Sequence, residues 1–508
     1  VTTQFPRVAF VGAGPGDPRL LTVRGAQLLA GAEVVLYDDD VPGVVLATLA
    51  PDALAEPVRC GDGTALEASI GRLVEAARAG RRVVRLVAGD PGLDAGCVAS
   101  TRALERAGLA IEVVPGIAPA SAIAATAGLL LTNGAGCAML VDDGADDAIA
   151  RALAAGFSPI LRATPARLRA SMRSLAASRP SLCAAIVTEA ATPRQRVVVS
   201  SLAGLGPALD ALDPASTAVL VVGDAVAARE RPSWFEARPL FGRRILVPRA
   251  GHQAGVTSDA LRARGAEPIE LPLLAIVEPP DLEAAREAVC RAGTYDWVIF
   301  TSDNGVDRFF RLVDEAALDA RIFRGAKLAA IGEGTARSLR ARGLRADLVP
   351  PSFRGEALAD AVLDAIVLYR GASAGARVLL PRALVARDVV PERLRVAGVE
   401  VDVVPLYETR RASSAVHSEL LDRLAGGALD AVLLASSSTA EALVEALGPN
   451  PATALERVVV ASIGPITTAT AERLGLRVDV TASTFTFAGL LDDLERYFAG
   501  PGRRPPSL

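Results

Sequence analysis

An α/β architecture in several lobes is what this chain of 508 residues predicts, and two observations carry that expectation. Short continuous apolar runs bounded by turn residues alternate with Ala/Leu/Arg stretches of helical spacing, the pattern of mostly parallel sheets covered on both faces. The second half is also written twice. GRRILVPRA…LRARGAEPIELPLL from Gly242 is answered by GARVLLPRA…LRVAGVEVDVVPLY from Gly375, and YDWVIFTSDNG (Tyr295–Gly305) by LDAVLLASSST (Leu429–Thr439). KLAAIGEGTARSLRARGL from Lys327 and RVVVASIGPITTATAERLGL from Arg457 follow in the same order. The period, roughly 130 residues from Gly242 to Gly375, is too long for a solenoid unit and suits a small α/β domain. Two similar lobes facing each other make a cleft, so the function of this half is expected between the copies.

Taken in order, RVAFVGAG (Arg7–Gly14), AEVVLYD (Ala32–Asp38), RRVVRLVAGD (Arg81–Asp90) and IEVVPGI (Ile111–Ile117) read as strands that open onto glycine or proline turns. SIGRLVEAARAG (Ser69–Gly80) has helical spacing. The prolines and charges of ARERPSWFEARPLFGRR (Ala228–Arg244) interrupt the periodicity and mark a linker. The boundaries that follow are a first domain at 1–228, a linker at 229–241, a second domain at 242–499 and a tail at 500–508, disordered by composition.

Composition narrows the function. The chain is 51% hydrophobic, and its net charge of -4 comes from well-mixed residues, so no global field draws it to nucleic acid or to a membrane. No apolar run approaches the roughly 18 residues of a membrane-spanning helix. Five scattered cysteines without a CxxC pair, with only His252 and His417 besides, make a metal site unexpected and suit a reducing cytoplasm. Lys327 is the only lysine.

VGAGPGDP (Val11–Pro18) follows the first strand but fails as a dinucleotide fingerprint, Pro15 and Gly16 breaking the GxGxxG pattern. The longer string VGAGPGDPRLLTVRGAQLLAGAEVVLYDDDV resembles the opening of the tetrapyrrole methyltransferases, uroporphyrinogen III C-methyltransferases in particular. RLVAGDP (Arg85–Pro91), VVPGI (Val113–Ile117), AGLLLT (Ala127–Thr132) and TPRQRVVV (Thr192–Val199) keep that family's order, so the resemblance covers about Arg7–Val226. It implies a two-lobed α/β domain with S-adenosylmethionine lying across Pro15, the loop Ala88, Gly89 and Asp90, Leu93, and Ala118. It also implies a catalytic Asp38 near the substrate, and a homodimer formed through this domain. Glycine turns at strand ends allow such close backbone approach, and Asp90 can accept hydrogen bonds from a ribose or amine. Four departures stand out: GLDAGCVAS (Gly92–Ser100) lacks the family's aromatic and arginine residues, Asp39 stands where an arginine is usual, no lysine lies near Val58–Gly61, and an acidic stretch runs over Asp142–Asp147. Repulsion from Asp38–Asp40 disfavours a polycarboxylate, so impaired or altered methylation is expected. A fully bifunctional chain making precorrin-2 is the alternative.

The repeated half resembles uroporphyrinogen III synthases over Gly242–Phe498, through RRILVPRAG, IFTSDNGV, AAIGEGTA, VVPLYETR, LLASSSTAEAL, ASIGPITTATAERLG and TFAGLLDDL. Methyltransferase and synthase act on neighbouring steps of one pathway, toward siroheme or cobalamin, which strengthens both resemblances. The family implies a two-lobed α/β domain with parallel sheets. Lobe one would combine 242–274 with 410–498, lobe two would be 277–404, and Leu271–Pro279 and Val403–Arg410 would cross between them. It also implies closure of hydroxymethylbilane to uroporphyrinogen III through a spiro intermediate that inverts the last pyrrole, with no cofactor. Tyr407 matches the family's tyrosine and would hydrogen-bond to the departing hydroxyl; packing at a hinge is its other reading.

Substrate carboxylates need donors. Thr301, Ser302, Asn304 and Gly332 in one copy lie where strands turn into helices, and there unpaired N–H groups gather. Ser436, Ser437, Ser438 and Thr439, with Gly464, Pro465, Thr467 and Thr468, hold the matching places in the other. Each hydroxyl among them serves equally well as a helix N-cap. Arg249 and Arg382, from the two PRA strings, are expected on opposite walls. A two-lobed receptor for a small anion is a competing class; an NAD-dependent oxidoreductase would need the fingerprint that Val11–Pro18 lacks.

Overall fold

The computed structural model describes residues 7–50, 52–59, 63–129, 131, 138–141, 146–214, 216–227, 229, 233–248, 252–352 and 354–500. The described strands form four five-stranded sheets, two in each half of the chain. None of the described helices is long and apolar enough to cross a membrane. The sequence reading of a disordered tail falls, past Gly500, outside the described residues.

The first sheet runs Leu54–Val58, Val34–Asp38, Val83–Val87, Val8–Gly12, Ile111–Val114, with every pairing parallel. Its two central strands are buried at every position, as continuous apolar runs require. The connections leaving these two strands depart to opposite sides of the sheet order, which opens a crevice at their C-terminal ends. The second sheet runs Ala138–Val141, Ser158–Ala163, Ala218–Val222, Cys183–Thr188, Arg196–Ser201. Only its first pair is parallel, whereas the strands read from Arg7–Gly14, Ala32–Asp38, Arg81–Asp90 and Ile111–Ile117 all lie in the wholly parallel first sheet. For the last pair the cause is the short connection from Thr188 to Arg196, since a tight loop joins antiparallel neighbours. Glu189 and Ala191 take positive φ values of 48° and 60° in that loop.

The segment read as a linker is docked on both sides. Ser233 Oγ donates to Thr126 O (2.6 Å), Trp234 Nε1 to Ala125 O (2.6 Å) and Arg229 Nε to Ala127 O (2.6 Å). Toward the second domain, Leu240 N donates to Arg264 O (2.9 Å) and Arg238 Nη1 to Arg262 O (3.0 Å). Leu240 is wholly buried among Ile245, Val247, Leu261 and Leu490, so it belongs to the second domain's core. Leu240→Ala is therefore expected to cost about 3 kcal/mol, the middle of the range for a buried leucine. A urea titration followed by circular dichroism would measure it, and a loss under about 1 kcal/mol would return the segment to a passive tether.

The third sheet runs Glu267–Glu270, Arg244–Val247, Ala431–Leu434, Val459–Ser462, Val480–Thr481, all parallel. The fourth runs Leu274–Val277, Glu400–Arg411, Arg377–Ala383, Trp297–Phe300, Lys327–Ala330, parallel except at its first pair. The duplicated strings are thus exchanged between sheets. RILV of the first copy shares a sheet with AVLL and VVAS of the second, whereas RVLLPRA of the second shares one with WVIF and KLAA of the first. The long strand Glu400–Arg411 pairs with Arg377–Ala383 through Tyr407 and then with Leu274–Val277 through Glu408–Arg411. It carries the chain out of one lobe toward the other.

Candidate functional site

In the first domain three strand ends meet at glycines. A Cβ on Gly116 would lie 2.0 Å from Gly89 O, and one on Gly12 would lie 2.5 Å from Gly116 Cα. Gly89 takes a left-handed φ of 78°, and Gly14 and Gly89 exchange backbone hydrogen bonds of 3.2 and 3.1 Å. No side chain fits there, so the three loops approach as bare backbone, the form in which a strand-end crevice admits a ligand closely. Pro15, Ala88, Asp90 and Ala118 are half-buried around this crossing, and Leu93 is 58% exposed. Asp90 Oδ1 accepts from Gly92 N at 2.8 Å and holds the turn that follows.

Asp38 requires a correction. It is 5% exposed, and both its oxygens are engaged: Oδ1 pairs with Arg85, equally buried, and Oδ2 accepts from Ala88 N at 2.8 Å. Burial raises its carboxyl above the usual range, against the opposing pull of Arg85 and the Ala88 N–H. A carboxylate so enclosed braces the Ala88–Asp90 loop and does not face a substrate. Asp40 pairs with Arg162 of the second sheet, which ties the two lobes of this domain together. The expected row of bare charges at Asp38–Asp40 is therefore largely neutralised by arginines that residue spacing gave no means to identify. Arg85 itself stands in the quoted RLVAGDP string.

In the second domain, the side chains of Tyr407, Ser302 and Asn304 come together. Tyr407 lies where the strand pairing shifts register, opposite Ala383. Its ring is buried with Phe300, Leu379 and Leu406, and its Oη is 2.9 Å from Ser302 Oγ and hydrogen-bonded to Asn304. Burial pushes the phenol above its ordinary 10.0, and the two hydrogen bonds pull it back in part. Ser302 caps the helix Asp303–Glu315, accepting from Gly305 N at 3.0 Å. Thr301 is half-buried before it, and Gly332 is a buried extended residue preceding the helix Glu333–Ala341. A contact that the sequence did not single out joins the two helix starts: Thr335 Oγ1 donates to Asp303 Oδ1 at 3.0 Å. Asp303 stands inside the TSDNG string, so its identity was legible although its partner was not.

The other pair of helix starts carries hydroxyls. Ser436 caps Ser437–Leu447 and contacts the hydroxyls of Ser438 and Thr439, both at 2.9 Å. Ser437 Oγ is 2.8 Å from Thr470 Oγ1. Gly464 precedes Pro465–Arg473, and Thr468 Oγ1 joins Ser462 Oγ (2.7 Å) to Thr481 Oγ1 (2.8 Å). Ser438 and Pro465 are exposed. Thr439 and Thr467, at the third position of their helices, are buried, a second correction: they face the core and do not face a ligand. Thr470 and Thr481 come from a helix's second turn and a two-residue strand, where no local signal could mark them.

Arg382 is a third correction. It is 9% exposed and already bonded to Asp388 at 2.5 Å and to Arg387 O at 3.0 Å, so its charge is met within its own lobe. Arg249 lies outside the described residues.

Comparison with known proteins agrees with this division. Residues 7–206 match the family model of Tetrapyrrole (Corrin/Porphyrin) Methylases, and residues 255–492 that of Uroporphyrinogen-III synthase HemD. The porphyrin biosynthesis protein HemD of Ruminiclostridium josui is 30% identical over 502 residues, 96% of this chain and 97% of that protein. The uroporphyrinogen-III C-methyltransferase of Bacillus subtilis is 31% identical over 371 residues, 68% of this chain and 73% of its own length. The uroporphyrinogen-III synthase of Synechococcus elongatus is 32% identical over 273 residues, 51% of this chain and 97% of its own length. With full-length similarity to a HemD protein and both halves matched in order, the chain belongs to the family of porphyrin-biosynthesis proteins that fuse a tetrapyrrole-methylase domain to a uroporphyrinogen-III synthase domain.

Proposed function

We propose that the second domain closes hydroxymethylbilane to uroporphyrinogen III with inversion of the last ring, and that Tyr407 is the acid that meets the departing hydroxyl. The observation that carries the proposal is the Tyr407 Oη bonded to Ser302 Oγ at a helix start, beside the strand that passes between lobes. The leaving group departs readily once assisted, so the protein's main work is to hold a linear chain in the geometry that lets its ends meet. The exposed and half-buried hydroxyls around Ser436, Ser438 and Thr468 supply donors for carboxylates.

In the first domain the glycine crossing has the bare backbone that S-adenosylmethionine would need, with Pro15, Ala88, Gly89, Asp90 and Ala118 around it. When bound there, the cofactor would supply an electrophilic methyl group. The chain's own residues hold the loops open and fixed, through the Asp38 bond to Ala88 N and the Asp90 bond to Gly92 N. We propose that this domain keeps the scaffold and methylates uroporphyrinogen III poorly, because Arg85 and Arg162 are already paired to aspartates.

The test of the synthase function is product identity. Full-length protein given freshly made hydroxymethylbilane is expected to yield the type III isomer. Type I product alone, at the rate of spontaneous closure, would remove the proposal.

A further inference from the structure

The duplicated lobes differ in charge at equivalent helix starts, neutral in one and acidic in the other. In lobe one the helices Ser437–Leu447 and Pro465–Arg473 have no acidic residue in their first turns. In lobe two the equivalent helices begin with Asp303 and Glu333. Glu333 is exposed and paired with Arg340 at 3.0 Å. Asp303 is different: it is half-buried, its partner is the neutral Thr335 hydroxyl at 3.0 Å, and it sits in the chain between Ser302 and Asn304. Both of those neighbours bond to the Tyr407 hydroxyl. A helix start ordinarily attracts an anion. Here the protein has placed its own carboxylate at that point, and no arginine or lysine side chain bonds to it among the described residues.

The chemistry at Tyr407 gives such a carboxylate a use. When the terminal C–O bond breaks, the oxygen takes the bonding electron pair and a proton from Tyr407 Oη, and leaves as water. The pyrrole nitrogen lone pair then forms a C=N bond, so the terminal ring and its methylene carry a positive charge. The substituted carbon of the last pyrrole attacks that methylene and gives a spiro cation. The older bond from this carbon to its other methylene then breaks, leaving the cation on the neighbouring ring's methylene. The inverted ring's free carbon bonds to it and loses the proton that restores the tyrosine, so the net change is loss of one water. Charge of one sign develops at one place, and a fixed opposite charge there lowers the barrier more than it strengthens ground-state binding.

We propose that Asp303 is a further catalytic residue of ring closure, its carboxylate standing against the terminal pyrrole and stabilising the cation formed as water leaves. This rests on the synthase function above.

Asp303→Asn tests it, because asparagine keeps the volume and an acceptor for Thr335. The expected result is a kcat lowered roughly 10- to 100-fold, in the range of losing one preorganised electrostatic group, with KM unchanged or lower because a charge that repels the substrate is gone. Thr335→Val removes the hydrogen bond and leaves the charge, and is expected to keep kcat within about threefold, because the group that acts on the cation is still in place. Should the asparagine variant fail to fold, Asp303→Ser takes its place in the same comparison. A kcat within twofold of wild type in the uncharged variant, a loss that falls on KM alone, or a Thr335→Val loss as large as the aspartate's would each overturn the inference. Wild-type protein giving only type I product would instead overturn the synthase function itself, so the two failures are distinct.

Discussion

Tyr407→Phe is expected to slow formation of the type III isomer roughly ten- to a hundredfold while leaving the protein folded. General-acid groups contribute about 10²–10⁴, and this leaving group departs readily, which places the loss at the low end. The ring stays packed against Phe300, Leu379 and Leu406, so stability falls only by about 1–2 kcal/mol for the lost bonds to Ser302 and Asn304. The pH profile separates acid catalysis from packing. Burial holds the phenol above its ordinary 10.0, so its protonated form persists through neutral and moderately alkaline pH. The wild-type rate is then expected to stay flat until the pH passes 10 and to fall above that as the proton is lost, whereas the phenylalanine variant shows no such fall. An unchanged rate in the variant would leave Tyr407 as a packing residue at the strand shared between sheets.

What the sequence made legible and what it hid follow one physical line. Strands buried on both faces must be continuous apolar runs, so VAFVG, VVRLV, AVLL and WVIF announced themselves. The duplicated strings put hydroxyls at equivalent strand ends. The bonds from Tyr407 to Ser302 and Asn304 were not foreseen, because the sequence assigned the tyrosine to the leaving hydroxyl and the other two to substrate carboxylates. Polar partnerships were hidden because strand order decides them. Asp38 reaches Arg85 only because Val34–Asp38 and Val83–Val87 are neighbours in the sheet, and Asp40 reaches Arg162 only because two sheets face each other. Arg382 found Asp388 through a local loop that has no periodicity to read. Thr439 and Thr467 were misread for a geometric reason: the third residue of each of these helices turns inward, as the buried Gly305 and Thr335 also do. A hydroxyl there caps and packs.

With S-adenosylmethionine and uroporphyrinogen III, the full chain is expected to bind the cofactor yet form dimethylated product at least a hundredfold more slowly than an efficient methyltransferase would. Cofactor binding should survive because the crossing of Gly12, Gly89 and Gly116 leaves room only for backbone, and the bonds that hold the Ala88–Asp90 loop are internal to the domain. Transfer should suffer because the substrate is a polyanion. Arg85 and Arg162 are the arginines placed beside Asp38 and Asp40, and each is already neutralised by its aspartate. The arginine replaced by Asp39 and the lysine absent near Val58–Gly61 would each supply a charge-assisted hydrogen bond of about 1.5–3 kcal/mol, and losing both amounts to a hundredfold or more in transition-state binding. Asp39 adds a negative charge to the same turn. Asp40→Ala supplies the converse test, since it frees the part-exposed Arg162 without touching the buried Asp38–Arg85 pair. Tighter uroporphyrinogen III binding by that variant, roughly tenfold for one recovered contact of this strength, is the expected gain. Calorimetry with S-adenosylhomocysteine reads cofactor affinity, and label transfer reads methylation. Efficient dimethylation by the unaltered chain would mean that other cations, such as the exposed Arg59, hold the substrate, and that both domains are working enzymes.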